Sequence, residues 1–187
     1  RPAMNKIAIK KLLSPLYKIK YRLHSNGWVY IGNHTKIVNP KHLHLEGENQ
    51  IAPYCLICPH GDAFIKLGQG VSIGMFSRLA CINEISLGNN VLTGPNIFIC
   101  DYNHAYEDIN RPISLQGNIG NDNKVIIDDD CWIGTNVVIC GNVHIGKHTV
   151  IGANAFVNKD IPSYCVAVGN PAKVVKKYNF ETGAWEN

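Results

Sequence analysis

"IDDDCWIGTNVVICGNVHIGKHTVIGANAFVNKDIP", Ile127 to Pro162, divides into six consecutive blocks of six residues. Every block opens on Ile or Val, and Gly fills the second position of three of them. The fifth position is small or aliphatic throughout: Cys131, Val137, Val143, Thr149, Ala155 and Ile161. A period of six does not match the 3.6-residue turn of an amphipathic helix, and the glycines would weaken any helix. It does match a triangular coil in which each block supplies a short strand and a corner. The aliphatic residue enters the axis, and the small residue lets the chain turn. One such coil cannot bury its own interior, so the coils must stack.

The register extends backwards. Block starts fall at Leu45, Ile51 and Ile57, then Leu67, Ile73 and Leu79, then Leu87, Thr93 and Ile99, resuming at Ile127, Ile133 and Ile139 and ending with Ile145, Ile151 and Val157. Fourteen of these fifteen are aliphatic and twelve of the residues that follow them are Gly, Ala or Cys, which predicts about five coils of an all-β, parallel β-helix. Extra residues enter after Ile57, after Leu79 and, most of all, after Ile99. Each insertion follows the third block of a coil, so all three leave from one edge of the prism. The largest is a polar loop, residues 100–126, containing "DYNHAYEDINRPI" from Asp101 to Ile113. Long loops on a rigid scaffold are where function is usually carried.

The remaining features are modest. A formal charge of +4 over 187 residues suits anionic small molecules and falls short of a nucleic-acid footprint. No apolar run is long enough to span a bilayer. Of the seven cysteines, Cys55 and Cys58 form a lone CxxC with no second pair to complete a zinc site. Cys58, Cys100 and Cys140 fall at second positions and Cys55 and Cys131 at fifth positions, so all five read as corner or core residues. Reduced thiols and the lack of a signal-peptide pattern give a cytoplasmic expectation. Residues 1–30 form a basic amphipathic segment, expected as a short helix broken near Pro15. It would cap the main body with its lysines in solvent, with weak contact to an anionic membrane surface as the alternative. Arg1 to Ala3, ahead of Met4, read as expression-vector remnants. The β-helix domain is placed at residues 31–177 and a C-terminal tail at 178–187.

With blocks and loop in place, "ISLGNNVLTGPNIFICDYNH", "CWIGTNVVICGNVHIG", "VIGANAFVNKDIP" and "AVGNPAKVVKKY" make the chain resemble the hexapeptide-repeat acyltransferases. Within that superfamily it is similar to the branch of maltose and galactoside O-acetyltransferases and polysaccharide O-acetyltransferases, over roughly Leu45 to Lys177. The resemblance implies a left-handed coil, against the usual crossover rule. It also implies a homotrimer with active sites between subunits, acetyl-CoA as donor, a saccharide hydroxyl as acceptor and no metal.

Acetyl transfer to an alcohol needs a general base and donors for the thioester oxyanion. His104 aligns with the family's catalytic histidine, and histidine as a residue type is largely neutral at cellular pH. Asp101 or Glu107 could orient its ring. Relatives often carry an aspartate where this chain has Asn83, Glu84 and Ile85, so Asn83 and Glu84, with Asn103, are the acceptor-contact candidates. A backbone N–H near Gly141 is the expected oxyanion donor. For the donor site the resemblance implies Thr135, Ala153, Asn158, Lys159, Lys173 and Lys176, with Trp132 against the pantetheine arm or the acceptor. The phosphates of CoA call for cations such as these lysines. His60 is a further candidate for the acceptor pocket, whereas His144 and His148 read as outward repeat positions. Direct transfer in a ternary complex is preferred, because no cysteine sits in an acyl-enzyme motif. The alternatives are N-acetylation of a nucleotide-linked amino sugar, a γ-class carbonic anhydrase and a non-catalytic scaffold. The carbonic anhydrase would need a histidine set that the spacing of His144 and His148 does not supply.

Overall fold

Ile99 lies in register between Leu79 in the coil before it and Ile139 in the coil after it. The same relation holds on the other faces, where Thr93 pairs with Ile133, and Ile127 lies between Leu87 and Ile145. This is the architecture of the computed structural model, a parallel β-helix of stacked coils, described for residues 2–187 with side chains from residue 7 onward. Arg1 and the side chains of residues 2–6, and with them the reading of Arg1 to Ala3 as vector remnants, lie outside the described residues.

Three parallel sheets form the walls. The first face begins with Val29–Ile31 and Asn49–Ile51, and the second with Lys36–Ile37 and Leu56–Pro59. The third begins with Leu43–Leu45 and Phe64–Leu67. All fifteen block starts are buried, and they line one continuous apolar column. Thr93, the one polar start, is satisfied because its Oγ1 accepts the N–H of Gly74 at 2.9 Å. The glycine at the second position is forced by close approach. A Cβ on Gly74 would stand 2.2 Å from the carbonyl oxygen of Gly94 in the next coil. At one corner the fourth residues Asn96, Asn136 and Asn154 adopt left-handed backbone (φ 59, 58 and 61°), which Asn tolerates. Their amides form a ladder, Asn96 to Asn136 at 2.7 Å and Asn136 to Asn154 at 3.1 Å. In the earlier coils the same corner is filled by the stacked rings of His34, Tyr54 and Phe76.

Three local readings are corrected. The solenoid starts one coil earlier than the repeat suggested, because Ile31 pairs with Ile51 and Ile37 with Ile57. A 3-10 turn, Pro40–His42, lengthens the step from Ile37 to Leu45 and hides this coil from the six-residue period. Residues 178–187 are no loose tail, since Lys173–Asn179 and Ala184–Glu186 extend the first face as antiparallel strands. Tyr178 packs edge-on against Trp185 at 5.5 Å there.

The third correction concerns the N-terminal helix, α1 (Pro2–Tyr21), which runs unbroken through Pro15. The proline ring is on the exposed side, where water can reach the carbonyl left without its N–H partner. The helix packs on the first strand with Lys11 and Lys20 in solvent, as expected, but its aliphatic stripe faces outward and Lys10 and Lys18 turn inward. Ser14 is buried and its Oγ accepts the N–H of Val29 at 2.9 Å. Tyr17 packs edge-on against Tyr30, and Lys18 Nζ donates to the Ser25 carbonyl at 2.9 Å. The first strand has unpaired backbone groups along its outer edge, and a polar helix face supplies partners that leucines could not.

Candidate functional site

All the excursions leave from the corner between the second and third faces. It carries the Pro40–His42 turn, the bend around His60, the turn at Ile82 and Asn83, and the long loop. The loop's base is held by Asp101, which is fully buried. Its Oδ1 accepts the N–H of Ile82 at 2.9 Å, and its Oδ2 accepts those of Asn83 and Glu84 at 2.8 Å each. Asn83 then donates its side-chain amide to the Gly120 carbonyl at 2.8 Å, fixing where the loop returns. Between these anchors, Asn103–His104 pairs antiparallel with Asn118–Ile119. His104 therefore stands on a short hairpin rather than on free chain, and its ring is exposed. The tip is closed by Gln116, whose Nε2 donates to the carbonyls of Asp108 and Arg111 at 2.9 and 2.8 Å.

The orienting roles considered for Asp101 and Glu107 are not what the geometry gives them. Asp101 serves three backbone donors, and Glu107 accepts the N–H of Tyr106 at 3.0 Å. Among the described residues the His104 ring has no hydrogen-bond partner. Of the acceptor-contact candidates, Glu84 is paired with Lys124 Nζ at 2.9 Å and takes the Ser86 hydroxyl at 2.7 Å. Burial pushes its carboxyl up, but those two bonds outweigh burial and hold it below the usual carboxylate value. Asn103 turns its Oδ1 toward Cys140 Sγ, 3.4 Å away. His60 lies on this edge, edge-on to Tyr102 at 6.1 Å.

Cys140 is the site feature that spacing did not reveal. Four of the five cysteines assigned to core or corners are buried, but Cys140 is partly exposed beneath the loop. Its sulfur lies 3.0 Å from that of Cys100, its in-register neighbour. The thiol–thiol hydrogen bond with Cys100 lowers the Cys140 thiol, against the opposing effects of burial and Asp101. The same bond, with burial, pushes the Cys100 thiol up. The repeated cysteine at second positions was the available signal. It indicated stacking, but not which sulfur reaches solvent.

The N–H of Gly141 is not free, because it donates to the Cys100 carbonyl at 3.0 Å. The next one, on Asn142, has no protein acceptor among the described residues, while the Asn142 Oδ1 accepts the Lys124 N–H at 3.0 Å. The oxyanion-donor expectation thus moves one residue along the same corner. Asn158 and Lys159 are exposed on this edge one coil further on. His104, Asn142 and Lys159 therefore follow one another up a single edge.

The other donor-site candidates lie elsewhere. Thr135 and Ala153 are exposed at the corner between the first and second faces. Trp132 is half-exposed on the first face, in the outward column that continues through Val150 and Val166 to Lys176. Three strand spacings separate Trp132 from Lys176, roughly 14 Å. Lys173 pairs with Val168 at the end of that sheet. One chain thus presents two half-sets on different edges. Among the described residues no His, Cys, Asp and Glu cluster suited to a metal ion occurs. No helix among them is long and apolar enough to cross a membrane.

Comparison with known proteins gives the chain's family and fold. The family model for bacterial transferase hexapeptide (six repeats) matches residues 124–159. WbbJ of Escherichia coli strain K12, provisionally named a lipopolysaccharide biosynthesis O-acetyl transferase, is 34% identical over 132 residues, covering 67% of each chain. The galactoside O-acetyltransferase of Lactococcus lactis is 34% identical over 136 residues, 70% of this chain and 64% of that one. The chain thus spans about two thirds of the length of these relatives. Among solved structures, a single-site mutant of AntD, an N-acyltransferase from Bacillus cereus, in complex with dTDP-4-amino-4,6-dideoxyglucose and coenzyme A, superposes with a TM-score of 0.74. That match covers 90% of this chain and 91% of AntD at 18% identity, a likeness of fold.

Proposed function

The chain belongs to the hexapeptide-repeat acetyltransferases, and from that premise we propose that it moves an acetyl group from acetyl-CoA to a hydroxyl of a sugar or polysaccharide precursor. The observation that carries the reading is the placement of His104 on a braced hairpin at the edge that also presents the Asn142 N–H and Lys159. His104 takes the proton of the acceptor hydroxyl as the oxygen attacks the thioester carbonyl. The oxyanion is met by the N–H of Asn142, and collapse of the intermediate expels the CoA thiolate, which takes the proton back from the imidazolium. Atoms balance without an acyl-enzyme, and no step needs a metal.

The division of donor-site residues between two edges supports a cleft formed by neighbouring prisms. One subunit would supply the His104 edge and the other the Trp132, Thr135 and Ala153 side. Tyr106, Ile109, Ile113 and Leu115 on the outstretched loop are exposed, Ile109 by 93%, and a neighbouring subunit would cover them. The working unit of this proposal is a homotrimer with the family's left-handed coil.

The likeness to AntD keeps acetylation of an amino sugar as a second reading. Thiol release from acetyl-CoA, measured across neutral and amino sugars with mass analysis of the product, separates the two. The proposal expects an ester on a neutral saccharide. Release with amino sugars only would favour the second reading, and release with no saccharide would overturn both.

A further inference from the structure

Charge along the chain is unevenly divided. Residues 1–45 hold nine of the eighteen Lys and Arg and none of the fourteen acidic residues. That stretch is therefore +9 and the remainder −5. Much of the positive charge lies on α1, where Lys6, Lys10, Lys11, Lys18 and Lys20 occur among aliphatic residues.

A helix that caps a core buries its aliphatic side, and α1 does the reverse. Its inner face is Lys10, Ser14, Tyr17, Lys18 and Tyr21, fixed by the Ser14 and Lys18 hydrogen bonds and the Tyr17 contact already described. Lys10 bonds Gln50 and lies over the Tyr30 ring at 4.5 Å, which fixes the helix's rotation further. Its outer face carries Ile9, Leu12, Leu16 and Ile19, exposed by 56, 78, 62 and 76%. At about 100° per residue these four, with Ala8 and Pro15, fall within an arc of roughly 120°. Lys11 borders one side of that arc and Lys20 the other.

The outer stripe is continuous, apolar and rimmed by cations. We propose that this face of α1 docks the protein on an anionic lipid surface. The helix lies in the headgroup plane, with Leu12, Leu16 and Ile19 entering the acyl boundary and Lys11 and Lys20 at the phosphates. The helix is not long and apolar enough to cross a membrane, so the proposed attachment is peripheral and reversible. It would hold the acetyl-transfer edge near acceptors carried at a membrane, but it does not depend on the acceptor's identity.

The test mixes the full-length protein with sedimentable vesicles of phosphatidylcholine alone, or of phosphatidylcholine and phosphatidylglycerol in equal parts. Pelleting is expected with the anionic vesicles and at least tenfold less with the neutral ones, given that each cation near such a surface strengthens binding several-fold (order-of-magnitude values). High salt should reduce it. Leu12→Glu/Leu16→Glu should abolish pelleting, and Lys11→Glu/Lys20→Glu should reduce it by about tenfold. Both variants should keep the parent's oligomeric state and its thiol release with soluble acceptor. Equal pelleting with both vesicle types, no pelleting at all, or undiminished pelleting of the leucine variant would overturn the proposal. A changed oligomeric state in the leucine variant would overturn it in favour of an interface between copies of this chain.

Discussion

Asp101 and Asn83 hold the loop from both ends. The buried carboxylate accepts the Asn83 N–H at 2.8 Å, and the Asn83 side chain reaches Gly120 where the chain returns. The catalytic candidate His104 is placed by this pair without a hydrogen bond to either residue.

Removing the carboxylate leaves three backbone donors, at Ile82, Asn83 and Glu84, without an acceptor. Asp101→Ala should cost about 3 kcal/mol in urea unfolding, and Asp101→Asn about 2 kcal/mol, since the amide keeps one acceptor and turns a donor toward an N–H. Activity should fall in both, because the His104 hairpin loses its base. Unchanged stability in both would show that this buried carboxylate is not the anchor.

Gly74 illustrates a purely structural requirement. Its substitution by Ala drives a Cβ into the Gly94 carbonyl, so two coils must separate. Gly74→Ala should destabilise by about 2 kcal/mol or more. Gly141→Ala, whose Cβ would meet open space but whose φ of +99° strains any L residue, should cost about 1 kcal/mol through the backbone alone. Thermal melts of the two variants check the order.

Cys140 should be the reactive thiol. Lowered by its bond to Cys100, it ionises at lower pH than an ordinary thiol, so its alkylation by iodoacetamide should rise earlier with pH than that of a free cysteine. Cys100→Ala removes the sulfur partner, returns Cys140 toward the ordinary thiol value and should slow its alkylation at neutral pH. Acetyl-CoA should protect it. Site-resolved mass spectrometry supplies the rates.

Lys173 and Lys176 lie in the strand that extends the first face, away from His104. If they meet the phosphates of CoA, Lys173→Ala/Lys176→Ala should raise KM for acetyl-CoA by about tenfold with kcat little changed, the pattern of lost uniform binding. Acetyl-dephospho-CoA should narrow the gap between variant and parent if one of the contacts is to the 3′-phosphate.

Much of this was legible in the sequence because a six-residue period leaves little freedom. An aliphatic residue that recurs every six positions, followed by a small one, dictates which side chains stack, and Leu79, Ile99 and Ile139 do so. The shared edge of the insertions followed from arithmetic alone. The first coil was not legible, because the Pro40–His42 turn breaks its period and no earlier coil repeats it. The facing of α1 was hidden for a different reason. Its orientation is set by the Val29 N–H and Gln50, partners distant in sequence, and the aliphatic stripe by itself argued for the opposite rotation. At the site, spacing located the loop and the resemblance singled out His104 on it, but neither gave its support. Whether Asp101 meets the imidazole or three backbone amides depends on how the Asn83 turn folds over it. The exposure of Cys140 likewise depends on the loop above it.

The most direct measurement is the acetyl-CoA thiol-release rate of His104→Ala with a saccharide acceptor, alongside its melting temperature and acetyl-CoA affinity. A loss of roughly 10²–10⁴-fold in kcat is expected, with folding and donor binding unchanged. Full turnover by that variant would contradict the proposed role of His104.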